Sequence, residues 1–259
     1  LAHPGEFKKT VKVNPHPVPL KPRTPDATIL PIALFGFVPP KPDTKHPENA
    51  CVGFLKRAGK KVHDPDPDTL FEFRDFVADF MSKNFSPLSR ILPFNEWIES
   101  TNYSRARKDE LIRLRNIYSN MTDLEVLMNV PKVAEVKCFV KDEHYLEYKY
   151  PRGIYSRTDL FKTIAGPYFK SIEKEIFKHK IFIKKVPVDE RPAYIEQLFE
   201  KLHGPALATD YSSFEGSFVK EVMDNIEKIA YDYMISTLDD TTKDTFNAIY
   251  DTISGKNKL

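Results

Sequence analysis

Cysteine is almost missing from this chain: Cys51 and Cys138 are the only two, far apart and without CxxC spacing. A disulfide scaffold and a zinc knuckle are thereby excluded, and the scarcity fits a reducing compartment. Long apolar runs are missing too. A membrane helix needs roughly 20 such residues, and the longest candidate, residues 29–38, is broken by Pro31 and Gly36. No segment has the pattern of a signal peptide, and the chain begins at Leu1, so we expect a piece of a longer polypeptide. Internal repeats and low-complexity tracts are absent. Charge of one sign is also lacking, because the formal net charge is only +2.

What is present is unevenly placed. Residues 137–185 hold 12 Lys and Arg against 6 Asp and Glu, in a chain that is otherwise slightly acidic. Such a stretch can attract phosphate or can be a solvated face, and charge alone does not separate the two. Hydrophobic residues at 41% and charged residues at 29% allow a packed core and argue against wholesale disorder. The 259 residues suffice for one large domain or two small ones. Eleven of the 21 prolines fall in residues 1–50. Proline fixes φ and removes a donor, so this part reads as an extended arm laid across a core, with residues 29–38 as its apolar contact.

Helical periodicity begins at Thr69, with Glu72 completing a capping box, and continues through Leu70, Phe73, Phe76, Val77, Phe80 and Met81. Ser104 is placed to cap a basic helix. Thr122 and Glu125 mark a short helix that stops before Pro131. Residues 133–141 and Gly153–Arg157 read as strands. Thr158 opens a long apolar-faced helix that Gly166-Pro167 should kink or divide. Residues 181–183 read as a brief strand. Asp189 is expected to cap a helix that Gly204 closes, and residues 206–210 read as a buried strand. Two helices follow, over 217–237 and 240–252. The fold class is α+β, helix-rich.

Two short segments carry the chemistry. One is Ala208-Thr209-Asp210-Tyr211-Ser212-Ser213-Phe214-Glu215-Gly216-Ser217-Phe218, where a small apolar strand delivers Asp210 and Glu215 follows at a helix entry. The plain alternative is two surface carboxylates beside a helix N-terminus. The other is Cys138-Phe139-Val140-Lys141-Asp142-Glu143 followed by Lys149-Tyr150-Pro151-Arg152-Gly153-Ile154-Tyr155-Ser156-Arg157. It concentrates cations of two kinds: arginine offers a planar fork to phosphate oxygens, lysine a point charge. The plain alternative here is a basic hairpin at the surface. Arg152 and Arg157 lie five residues apart, so on a strand they face opposite ways, unless a bend intervenes.

The first segment resembles motif A, and the second motif F, of the RNA-dependent RNA polymerases of positive-strand RNA viruses, in their tombus- and noda-like part. Gly166-Pro167-Tyr168, Phe94-Asn95-Glu96-Trp97-Ile98 and the stretch from Tyr103 to Lys108 are similar to neighbouring fingers segments. The resemblance covers residues 90–259, more weakly 45–90. It implies right-hand polymerase fingers with the first part of the palm. Residues 1–68 would then be a proline-rich arm or fingertip extension, 69–205 fingers including motif F (138–157), and 206–259 the start of the palm with motif A (208–218).

By the same resemblance Asp210 is the catalytic carboxylate and ligates Mg²⁺ or Mn²⁺. Glu215, where most members have Asp, senses the sugar. Lys141, Lys149, Arg152 and Arg157 hold the triphosphate, and Glu143 orients the arginines. The implied activity is template-directed RNA synthesis from NTPs by two-metal transfer, in a viral replication complex in the host cytoplasm. Implied partners are RNA template, nascent strand and the remaining polymerase part. The Ser-Gly of motif B and the Gly-Asp-Asp of motif C are lacking; Ser254-Gly255 reads as a turn. The chain alone is therefore expected to be inactive. Two rival readings are a non-catalytic RNA-binding replicase accessory protein and a structural or capsid protein.

Overall fold

The computed structural model describes residues 41–57, 64–145, 149–201, 204–205, 207–211 and 214–255. The predicted apolar contact at residues 29–38 lies outside them. Helix dominates, and the one sheet among the described residues has two strands, so the α+β reading holds at the level of class.

Helix α1 (Pro47–Arg57) lies within the arm expected over residues 1–68, and its first turn replaces the end of the stretch 1–50 expected to be extended. Helix α2 (Pro67–Asn84) starts earlier than Thr69. Asp66 is its cap, accepting from the Thr69 amide at 2.9 Å, and Pro67 occupies the first turn, where a missing N–H costs nothing. Thr69 instead donates its hydroxyl to Asp66. Helices α3 (Phe94–Glu99), α4 (Arg105–Ile117) and α5 (Asp123–Asn129) follow. Ser104 caps α4, and Thr122 with Glu125 forms the full reciprocal box on α5, as their spacing predicts.

Strands β1 (Val136–Val140) and β2 (Gly153–Arg157) form an antiparallel hairpin with Val136 opposite Arg157 and Val140 opposite Gly153. β1 is shorter than predicted because Pro131–Ala134 winds into a 3-10 turn that sinks Val133 into the core. Thr158 then caps α6 (Asp159–Ile176), which the Gly166-Pro167 pair does not divide. Gly166 is needed for another reason. A Cβ there would stand 2.3 Å from the Trp97 ring, so only hydrogen lets α3 and α6 approach so closely.

Helix α6 is the centre of the molecule. Leu160, Phe161, Ile164, Ala165, Tyr168 and Ile172 are buried along it. They meet Val126 of α5, Val133, and Met234, Ile235, Phe246, Ile249 and Tyr250 from the C-terminal helices. Burying side chains of this size contributes about 1.5–3 kcal/mol each. Trp97, Ile98 and Leu111 form a second cluster between α3 and α4. The C-terminal helices are α8 (Lys220–Val222), continued through a π turn at Met223–Glu227 into α9 (Lys228–Ile235), and α10 (Asp240–Ser254). Gly255 ends α10 in a turn.

Two predicted strands do not form. Residues 181–183 supply one apolar side and find no ladder partner. Ile181 stays exposed, Phe182 packs edge-on against Phe177, and a 3-10 turn begins at Ile183. Residues 207–211 have no regular structure, and residue 206 lies outside the described set. A strand needs a neighbour for its amides and carbonyls, and the hairpin does not supply one here. Leu207 is consequently 89% exposed. Helix α7 (Arg191–Glu200) begins after Glu190, one residue later than an Asp189 cap would set it and without a side-chain cap bond, and Gly204, at φ +142°, turns the chain beyond it.

Candidate functional site

The hairpin ladder continues past its strands, since the Lys141 amide donates to the Arg152 carbonyl at 2.7 Å. That bond brings Lys141 and Arg152 side by side, with Glu143 between them. Arg152 Nε and Nη2 donate to the two Glu143 oxygens at 2.6 and 2.9 Å, a bidentate fork. Lys141 Nζ lies 2.7 Å from Oε2, and the Tyr145 hydroxyl donates to Oε1 at 2.7 Å. The Arg152 hydrogen bonds hold the Glu143 carboxyl far below the usual carboxylate range, against a burial penalty that acts the other way. Glu143 thus stays ionised and fixes two cations in place.

Helix α1 covers this end of the hairpin. Gly53 sits so near the Pro151 carbonyl that a Cβ would lie 2.4 Å from it. Phe54 meets Tyr155 edge-on at 5.9 Å, Lys56 stands over the Tyr150 ring, and Lys41 pairs with Asp142 at 2.5 Å. The far end of α1 reaches the other segment. At Gly216, in the 3-10 turn Phe214–Ser217, a Cβ would come within 2.9 Å of the Arg57 carbonyl. One helix therefore touches both segments singled out in the sequence.

The predicted site residues are only partly gathered. Lys141, Arg152 and Glu143 form one cluster. Lys149 is exposed and has no ion pair among the described residues. Arg157 goes elsewhere. Its guanidinium lies 5.1 Å from the Phe161 ring centre and donates to the Thr252 carbonyl at 3.1 Å, while Nη1 is buried without a described partner. Burial lowers its pKa. Asp210 is exposed in the irregular stretch, and the Glu215 side chain lies outside the described set. Among the described residues no three His, Cys, Asp or Glu side chains gather to hold a metal ion. Asp210 alone does not make the oxygen cage that Mg²⁺ demands.

Two clefts of about 350 and 380 Å³ lie away from these residues, around Ser89–Arg90–Ser171 and around Phe85–His179. Sequence reasoning missed Tyr145, Lys41 and the whole covering role of α1. Tyr145 stands two residues after Glu143, but nothing in that spacing announces a hydroxyl aimed at the same carboxylate. No described helix is long and apolar enough to cross a membrane. No family model, curated protein or solved structure matches the chain.

Proposed function

We propose that the chain is the fingers part and the first palm segment of a viral RNA-dependent RNA polymerase. The observation that carries this reading is the Glu143-centred cluster, in which Lys141 and Arg152 are held together, with exposed Lys149 three residues before Arg152 along the chain. A triphosphate requires several cations at close quarters, and preorganising them lowers the cost of binding. The motif order supports the same reading, with the basic hairpin followed by Asp210. The contacts of α1 with both segments support it further. In this reading Lys141, Lys149 and Arg152 take the triphosphate, and Arg157 braces the hairpin on α6 and α10. Asp210 supplies one carboxylate of a magnesium or manganese site, and Glu215 reads the sugar. Further carboxylates come from the part that carries Ser-Gly and Gly-Asp-Asp, on the same or another polypeptide.

Nucleotide incorporation on primed RNA, with that remaining part present, tests the proposal. Asp210→Asn is expected to lower it by more than about 100-fold, beyond the loss seen when a metal ligand's supporting partner is removed. The chain on its own is expected to extend nothing. A second reading, a non-catalytic RNA-binding accessory protein of the replicase, gains from the exposed position of Asp210, which joins no group of three metal-binding side chains among the described residues. It predicts that Asp210→Asn changes nothing.

A further inference from the structure

The only two cysteines of the chain, far apart in sequence, meet at one seam. Directly opposed residues of an antiparallel pair share a face of the sheet. Cys138 of β1 is opposite Tyr155 of β2, and that is the side α1 covers, because Phe54 meets the Tyr155 ring at 5.9 Å. Cys51 stands three residues before Phe54 on the same helix, and residues so spaced are neighbours on a helix surface. Burial raises the Cys138 thiol above its ordinary value, the Tyr155 hydroxyl lowers it, and Cys51 raises it again, so the two sulfurs lie within electrostatic reach.

The seam is close but thin. A disulfide needs its Cα atoms within about 7 Å, and Gly53 against the Pro151 carbonyl already brings the backbones of helix and hairpin into contact. Gly53 is also the one buried residue of α1. Few contacts therefore hold this helix, although it touches both the Glu143 cluster and the turn at Gly216. A covalent tie here would change how firmly α1 is seated. Both thiols are free, Cys138 open to solvent and Cys51 half-buried, so an oxidant reaches one and the other waits beside it.

We propose that Cys51 and Cys138 are an oxidant-sensitive dithiol site that a peroxide closes, reversibly, into a disulfide tying α1 to the hairpin. The Cys138 thiolate attacks hydrogen peroxide, the O–O bond breaks, hydroxide leaves, and a sulfenic acid forms. The Cys51 thiolate then displaces hydroxide from that sulfur, and the S–S bond forms. Two thiols and one peroxide give one disulfide and two waters; the sulfurs lose two electrons and the peroxide gains them. The tie is not a scaffold, since the fold stands with both thiols free. It rests on the packing of α1 and holds whatever the hairpin binds.

The test treats the dilute whole chain with hydrogen peroxide and follows it by peptide mass and limited proteolysis. The tryptic peptides that hold Cys51 and Cys138 should travel as one species, which dithiothreitol separates. Cleavage near residues 41–57 should slow by about 10-fold or more in the linked protein, because opening of α1 is suppressed. Cys51→Ser and Cys138→Ser should each abolish both effects, while their melts under reducing conditions match the wild type. Links formed only between molecules, Cys138 carried to sulfinic acid without a link, or a linked chain cut as fast as the reduced one would each overturn the proposal. None of those outcomes touches incorporation, so the polymerase reading is judged separately by Asp210→Asn.

Discussion

At Glu143, donors from Arg152, Lys141 and Tyr145 converge on two carboxylate oxygens. Its folded-state pKa is depressed, so its contribution to stability is complete above the unfolded carboxyl value of about 4.3 and is lost as pH falls below it. Glu143→Gln should remove that acid-side loss and loosen the hairpin end. Hydrogen exchange reads this at the Lys141 amide, which should exchange faster in the variant at neutral pH; unchanged protection would show that the carboxylate does not order the pair. Glu227 has the opposite sign. Burial raises its pKa although Tyr231 donates to it at 3.0 Å, so the ionised form weakens the fold as pH rises from the unfolded value through the folded one. Glu227→Gln should raise the melting temperature at neutral pH, with the gain vanishing below about pH 4. Melts at both pH values check it. At this scale Glu143 was legible as the partner of an arginine, because a carboxylate in a basic hairpin needs one. Arg157 was not: its contact with Thr252 joins residues 95 positions apart, and strand parity gives a direction but no neighbour.

Among the elements, close approach decides more than propensity. Gly166→Ala would press a methyl into the Trp97 ring, and overpacking of this kind costs about 1–3 kcal/mol. A lowered melting temperature in a thermal scan is the expected result. Gly53→Ala should instead release α1 from the hairpin, because its Cβ would collide with the Pro151 carbonyl while the α6 core is untouched. Limited proteolysis should then cut near residues 41–57 in a protein whose core still melts cooperatively. The caps at Ser104, Thr122 and Thr158 were readable because each is a local hydrogen bond with fixed spacing. The strands expected at 181–183 and 206–210 were misread for the complementary reason. Apolar composition offers a strand one face, but only a partner far along the chain completes its backbone bonds.

Across the whole molecule, α6 gathers the core while the hairpin and α1 lie to one side of it. That division keeps the cations of Lys141, Lys149 and Arg152 at the surface, where an anion can reach them. The order of basic hairpin and Asp210 was legible in the sequence; the separation of Arg157 from Arg152 and the open setting of Asp210 were not, because both depend on packing over long sequence distances. The most direct measurement is the affinity of the chain for a nucleoside triphosphate, compared with the parent nucleoside, in the wild type and in Arg152→Ala. Triphosphate should bind and nucleoside should not, and the substitution should weaken binding by about 10-fold or more, as loss of a charge-assisted hydrogen bond worth roughly 1.5–3 kcal/mol requires. Equal affinity in the two proteins, or binding that ignores the phosphates, would contradict a triphosphate site on this hairpin.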